Sequence, residues 1–244
     1  MSATTSALDF EQPQMRAAQF EYETVIDEIC RLNWNNLTQD EITGVAWAYH
    51  FFSVQFRENL EIARTLYPDD RKLAQLELEE CNTSNLSPWP GVADLGERMN
   101  HDEFMRRLLK LSIINDKRRH KFEKTGQWYL SKVRDMGFTT RALSIASYED
   151  GGLESVYRAM LRCRNWDTPP LQAFRHFLTE HIRFDNDPAQ GHGALCRHLA
   201  PDDQILPLWT AFKRLLIESV PELATNIGVA QGRTGNLEIY RPEP

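Results

Sequence analysis

No apolar run in the 244 residues approaches the roughly 20 that a helical membrane span requires, so no membrane partner is expected. Basic charge is in short supply: Lys+Arg number 28 against 35 Asp+Glu, a formal charge of −7. Nucleic acid, which is met by a surplus of positive charge, is not expected as a partner either. The one short basic run, DKRRHKFEK at residues 116–124, reads as the solvated face of a helix. Cysteine is scarce and scattered; Cys30, Cys81, Cys163 and Cys196 contain no CxxC pair and read as small, buried apolar residues in a reducing compartment. The opening MSATTSALDFEQPQ lacks the charged and apolar regions of a signal peptide, and a cytoplasmic location is expected. No linker-like composition shift divides the chain. It reads as one domain over residues 15–222, between a disordered lead-in (1–14) and a polar, Gly-rich tail (223–244).

What is present is helical periodicity over a 41% hydrophobic, 10% aromatic composition, enough for a real core. Apolar residues recur at three and four from Met15 to Leu32. Thr38 with Glu41 three residues on predicts a capping box, opening a helix that Pro68 stops near Tyr67. Further helices are expected over RKLAQLELEEC, MNHDEFMRRLLKL, HKFEKTGQWYLSKVRDM with Gly137 as C-cap, TTRALSIASYE, LESVYRAMLRC, PPLQAFRHFLTEHIRFD and DDQILPLWTAFKRLLIESV. Strand alternation and internal repeats are absent. The fold class is an all-α bundle of about seven to eight helices.

The stretch EHIRFDNDPAQGHG (180–193) concentrates chemistry. His181 and Asp185, four apart, share a helix face, and His192 follows a break marked by Pro188 and Gly191. Glu149 ends an apolar helix just before the Gly151-Gly152 pair, where a carboxylate is electrostatically misplaced and the backbone is free to bend. Leu73 and Leu76 begin a row of three-spaced residues that continues to Glu79, with Glu80 beside it. His101 sits one turn before Met105 on an apolar side. Carboxylates and histidines from four helical regions are the ligand inventory of a di-iron or di-manganese centre inside a bundle, although the Glu-x-x-His pairs of ferritin-like bundles are missing. Aromatic residues of the second helix, Trp47, Phe51 and Phe56, could wall a pocket, and Arg57, Arg175 and Arg183 are candidates for holding a substrate carboxylate. His50, His120 and His176 read as structural or surface residues.

In this order the pieces LAQLELEE (73–80), NH (100–101), YE (148–149) and EHIRFD (180–185) with His192 resemble the haem-oxygenase-like di-iron oxidases, over roughly residues 15–220. That group shares its fold with haem oxygenase, the thiaminase-like proteins and the pyrroloquinoline-quinone synthase family. The resemblance implies a haem-oxygenase-like bundle in which Glu79, His101, Glu149, His181, Asp185 and His192 bind two Fe(II) ions, with O2 as co-substrate. It also implies oxidation of a small molecule in specialised metabolism, an amino acid or an amine derived from one, by N-oxygenation, desaturation or oxidative C–C cleavage. It leaves room for an external electron donor and a homodimer. The chain departs from the pattern twice. The long insertion before His101 leaves Glu80, and after it Glu77, open in place of Glu79, and brings Trp89 or Pro90 within reach of the metals. The longer spacing after Asp185 leaves His198 open in place of His192. A metal-free enzyme of the same fold (a cofactorless oxidase or a thiaminase-like hydrolase) and a non-catalytic helical binding module are the alternatives.

Overall fold

The structure is a computed structural model that describes residues 20–82, 88–185 and 191–225, Asp185 by its backbone alone. It is all-helical, as the periodicity predicts. The elements are α1 (Glu21–Cys30), α2 (Gln39–Leu66), α3 (Arg71–Cys81), α4 (His101–Lys110), α5 (Asp116–Arg134), α6 (Phe138–Ser147), a π-helical turn (Tyr148–Gly152), α7 (Leu153–Met160), α8 (Pro169–Asp185), α9 (His192–Cys196) and α10 (Leu206–Ser219). Among the described residues no helix is long and apolar enough to cross a membrane.

Helix α2 is the axis of the bundle, packing against α3, α4, α5, α6, α8 and α10. Its start is the expected capping box. Glu41 N–H donates to Thr38 Oγ1 at 3.3 Å, and Thr38 N–H donates back to the Glu41 carboxylate at 2.6 Å. It ends at Leu66, two residues before Pro68. Gly126 of α5 lets α2 come close, because a Cβ there would fall 2.0 Å from the Phe51 ring. Residues Tyr49, Phe52, Ser53 and Phe56, at i, i+3, i+4 and i+7, turn one face of α2 inward.

Three expectations are revised. Gly137 does not cap α5; it is the N-cap of α6 with φ −61°, and α5 closes right-handed at Asp135. Leu223, placed in the tail by its surroundings in sequence, is fully buried, and its carbonyl accepts from Asn33 N–H at 2.9 Å. Trp89, in the insertion before α4, packs on His176 rather than lining the central cavity. The basic run lies largely exposed on α5. Residues 1–19, 83–87, 186–190 and 226–244 lie outside the described residues.

Candidate metal centre

Five side chains from five elements meet in the core. Helix α3 is amphipathic, with Leu73 and Leu76 fully buried, and at about 100° per residue Glu80 falls between them on the same face. Glu79 falls about 60° to the outer side of Leu76. The Glu80 side chain is accordingly 3% exposed and that of Glu79 30%. His101 enters as the first residue of α4, with Met105 and Leu108 anchoring its face in the core. His181 comes from the penultimate turn of α8.

Glu149 is delivered by the π turn, where Asp150 (ψ 53°) and Gly151 (φ 94°) break the helix before α7 resumes. The left-handed conformation at Gly151 is one that side chains disfavour. Wider π turns inside helices commonly mark functional positions. His192 opens α9, and the glycine after it decides how near it comes. A Cβ on Gly193 would lie 3.0 Å from the Glu149 carbonyl oxygen and 3.0 Å from Asp150 Oδ1. Arg197, beyond α9, clasps Asp150 with two bonds of 2.8 and 2.6 Å, tying this segment to the π turn.

Glu80 stands at the centre. Its Oε2 is 3.0 Å from His101 Nδ1 and its Oε1 2.5 Å from His192 Nδ1. His192 Nδ1 is also 3.3 Å from Glu149 Oε2, and His181 Nε2 is 3.4 Å from His101 Nδ1. Despite its short approach to His192, Glu80 Oε1 has no correctly directed hydrogen bond, and neither does the buried His101 Nε2. The donor atoms fall into two groups, Glu80–His101–His181 and Glu80–Glu149–His192, each with its atoms within 4.8 Å of one another. Glu80 belongs to both.

The electrostatics suit ligands. Burial raises the Glu80 carboxyl, but His101 and His192 outweigh it and hold the group well below its usual range, ionised. Burial first, and then His101, push His181 down to about 3, so its imidazole is neutral. His181 Nδ1–H donates to the Phe177 carbonyl at 2.8 Å, which fixes the tautomer and leaves the Nε2 lone pair facing the cluster. The Phe177 ring lies tilted against His181 with centroids 4.1 Å apart, and Phe184 lies tilted against His192 at 4.6 Å.

The cavity over this cluster is lined by Tyr49, Phe52, Ser53, Phe56, Leu153 and Tyr157. It holds about 10 Å³ of water-sized space, roughly one water. Imidazole nitrogens and carboxylate oxygens converging in a small buried pocket fit first-row metal ions such as iron or manganese.

Of the residues named from sequence, the structure brings together His101, Glu149, His181 and His192. The place given to Glu79 is filled by Glu80; Glu79 stands at the rim, 3.6 Å from His192 Nε2, and accepts from Gln75 at 2.8 Å. Glu77 pairs with Arg64, and His198 bonds Asp70 at 2.5 Å, away from the cluster. Asp185 ends α8 one turn after His181; its side chain lies outside the described residues. Of the candidate pocket aromatics only Phe56 reaches the cavity, since Trp47 stacks on Phe122 and Phe51 packs at Gly126. Arg57 is engaged by Asp102 and Glu61, and Arg175 and Arg183 are exposed. Tyr49, Ser53 and Tyr157 carry no signal singled out in the sequence, although the first two lie seven and three residues before Phe56, on its face of α2. No protein-family model, curated protein or solved structure matches the chain. A role for the cluster therefore rests on its own geometry.

Proposed function

We propose that the chain is a cytoplasmic non-haem di-iron oxidase that uses O2 to oxidise a small molecule. The observation that carries this reading is the pair of buried donor groups sharing Glu80. Two carboxylates and three imidazoles packed this closely cost stability unless something positive lies among them. In this reading Glu80 would be shared by two Fe(II) ions, with His101 and His181 as further ligands for one, and Glu149 and His192 for the other. Asp185, one turn beyond His181, is the further ligand that the resemblance names. When bound, the metal pair supplies the electrons that activate O2 and the oxidising power turned on the substrate.

The protein's own share is positional. The Phe177 carbonyl orients His181, the Arg197–Asp150 clasp holds the α9 segment against the π turn, and the aromatic walls exclude bulk water. The resemblance favours an amino acid or an amine derived from one as substrate, with an external donor restoring Fe(II). The test is an anaerobic Fe(II) titration of the metal-free chain, followed by mixing with O2 in a stopped-flow spectrophotometer. About two irons per chain, as in carboxylate-bridged bundle sites, and a transient visible absorption are expected, both lost in Glu149→Ala and His181→Ala. No stoichiometric iron, and no reaction with O2 in the presence or absence of candidate amino acids, would overturn the reading.

A further inference from the structure

Two phenols share the cavity with the carboxylates and imidazoles. Tyr49 of α2 and Tyr157 of α7 are each 2% exposed, and their hydroxyls are in direct hydrogen-bonding contact. The Tyr157 ring meets the His181 imidazole edge-on, with centroids 5.7 Å apart. The Tyr49 ring packs at 5.3 Å against Phe177, the ring that packs against His181. The remaining walls are Phe52, Phe56, Leu153 and Ser53. Among these side chains only a phenol readily gives up an electron together with a proton. The pair also sits where almost no water can reach a radical.

We infer that Tyr157 is redox-active: when no substrate is bound, it supplies an electron to the oxidant formed at the cluster. The inference rests on the di-iron reading above. O2 is the terminal oxidant, and metals held by the cluster would supply the oxidising power. The Tyr157 O–H bond breaks, its electron going to that oxidant and its proton to Glu80 or Glu149, the carboxylates lining the same cavity. A neutral phenoxyl radical remains on Tyr157. Tyr49 keeps its own proton and donates its O–H to the Tyr157 oxygen, stabilising the radical through the contact already present. Tyr157 is the member that reacts because its ring is the one against a proposed ligand.

The experiment uses the full chain loaded anaerobically with Fe(II), mixed with O2 without substrate, and freeze-quenched for electron paramagnetic resonance. A tyrosyl signal is expected whose hyperfine structure collapses when tyrosine is ring-deuterated. It should be lost in Tyr157→Phe and shortened in lifetime in Tyr49→Phe, with iron stoichiometry unchanged in both. Peptide mass spectrometry after the reaction should find oxidation concentrated at Tyr157. Iron that binds and reacts with O2 while giving neither radical nor modified Tyr157 overturns this inference and leaves the di-iron reading standing, as does a signal that survives Tyr157→Phe. Failure to bind iron at all overturns both.

Discussion

Two polar regions are buried in the same bundle, and they are built in opposite ways. Beside the cluster, a network joins α2, α5 and α6. Arg141, 4% exposed, donates to Asn59 at 2.7 Å and to Glu58 at 3.1 Å, and Asn59 donates to Ser144 at 3.0 Å. Tyr129 donates to Gln55 at 2.7 Å, which in turn faces the Tyr148 hydroxyl at 3.5 Å. None of these buried side-chain atoms lacks a partner. In the candidate cluster the carboxylates and imidazoles approach just as closely, yet Glu80 Oε1 and His101 Nε2 have no hydrogen bond. A network closed on itself is explained by stability, because unpaired buried polar groups are costly. A convergent set that leaves a buried carboxylate oxygen and a buried imidazole nitrogen without a hydrogen bond points to something it binds.

The contrast can be broken by substitution on each side. The largest effect is expected from Glu80→Ala, which should abolish iron binding while leaving the metal-free chain folded. Equilibrium dialysis with metal analysis and a thermal melt would check both halves. Arg141→Ala should do the reverse, costing about 3 kcal/mol in urea unfolding with iron stoichiometry retained. If Arg141→Ala spared stability, or Glu80→Ala unfolded the chain, the distinction between the two regions would fail.

Gly193→Ala is a subtler probe, since its methyl group would press on the Glu149 carbonyl and Asp150. Iron affinity is expected to fall about 10- to 100-fold, the usual cost of disturbing the support of a metal ligand. A competition titration with a chelator would measure it.

The metal-free chain should also show the electrostatic cost of the cluster. His181 takes a proton only near 3 when folded, against an ordinary 6.5. Between those values the unfolded chain binds more protons, so stability falls as pH drops from 6.5 towards 3, by at most about 1.4 kcal/mol per pH unit. His181→Gln should flatten that part of the profile. The smallest effect is expected from Glu79→Gln, at the rim, which should leave two irons bound.

Much of this was readable in the chain. The Thr38–Glu41 capping box, the stop at Pro68 and the bend at Gly151-Gly152 are local signals whose physics is complete within a few residues. The choice between Glu79 and Glu80 was legible too, but only on the true helical period. A row spaced strictly by three drifts off the buried face, whereas Glu80 lies four after Leu76 and seven after Leu73. Other features depend on partners distant in sequence. Gly137 begins α6 instead of ending α5, and Leu223 is buried by packing that polar neighbours conceal. The closeness of His192 to Glu149 depends on Gly193 meeting the π turn, a contact between residues more than 40 positions apart. Tyr157 carries no local signal within LESVYRAMLRC, because the contact that marks it is with Tyr49, 108 positions away.

The central claim is that Glu80 is shared by two metals, and anomalous diffraction tests it most directly. Crystals soaked anaerobically with Fe(II) would be measured on both sides of the iron absorption edge. Two anomalous peaks are expected, both within bonding distance of the Glu80 carboxylate, one beside His101 and His181 and the other beside Glu149 and His192. A single peak, peaks bound through Glu79 with Glu80 uninvolved, or no peak in the cluster at all would contradict it.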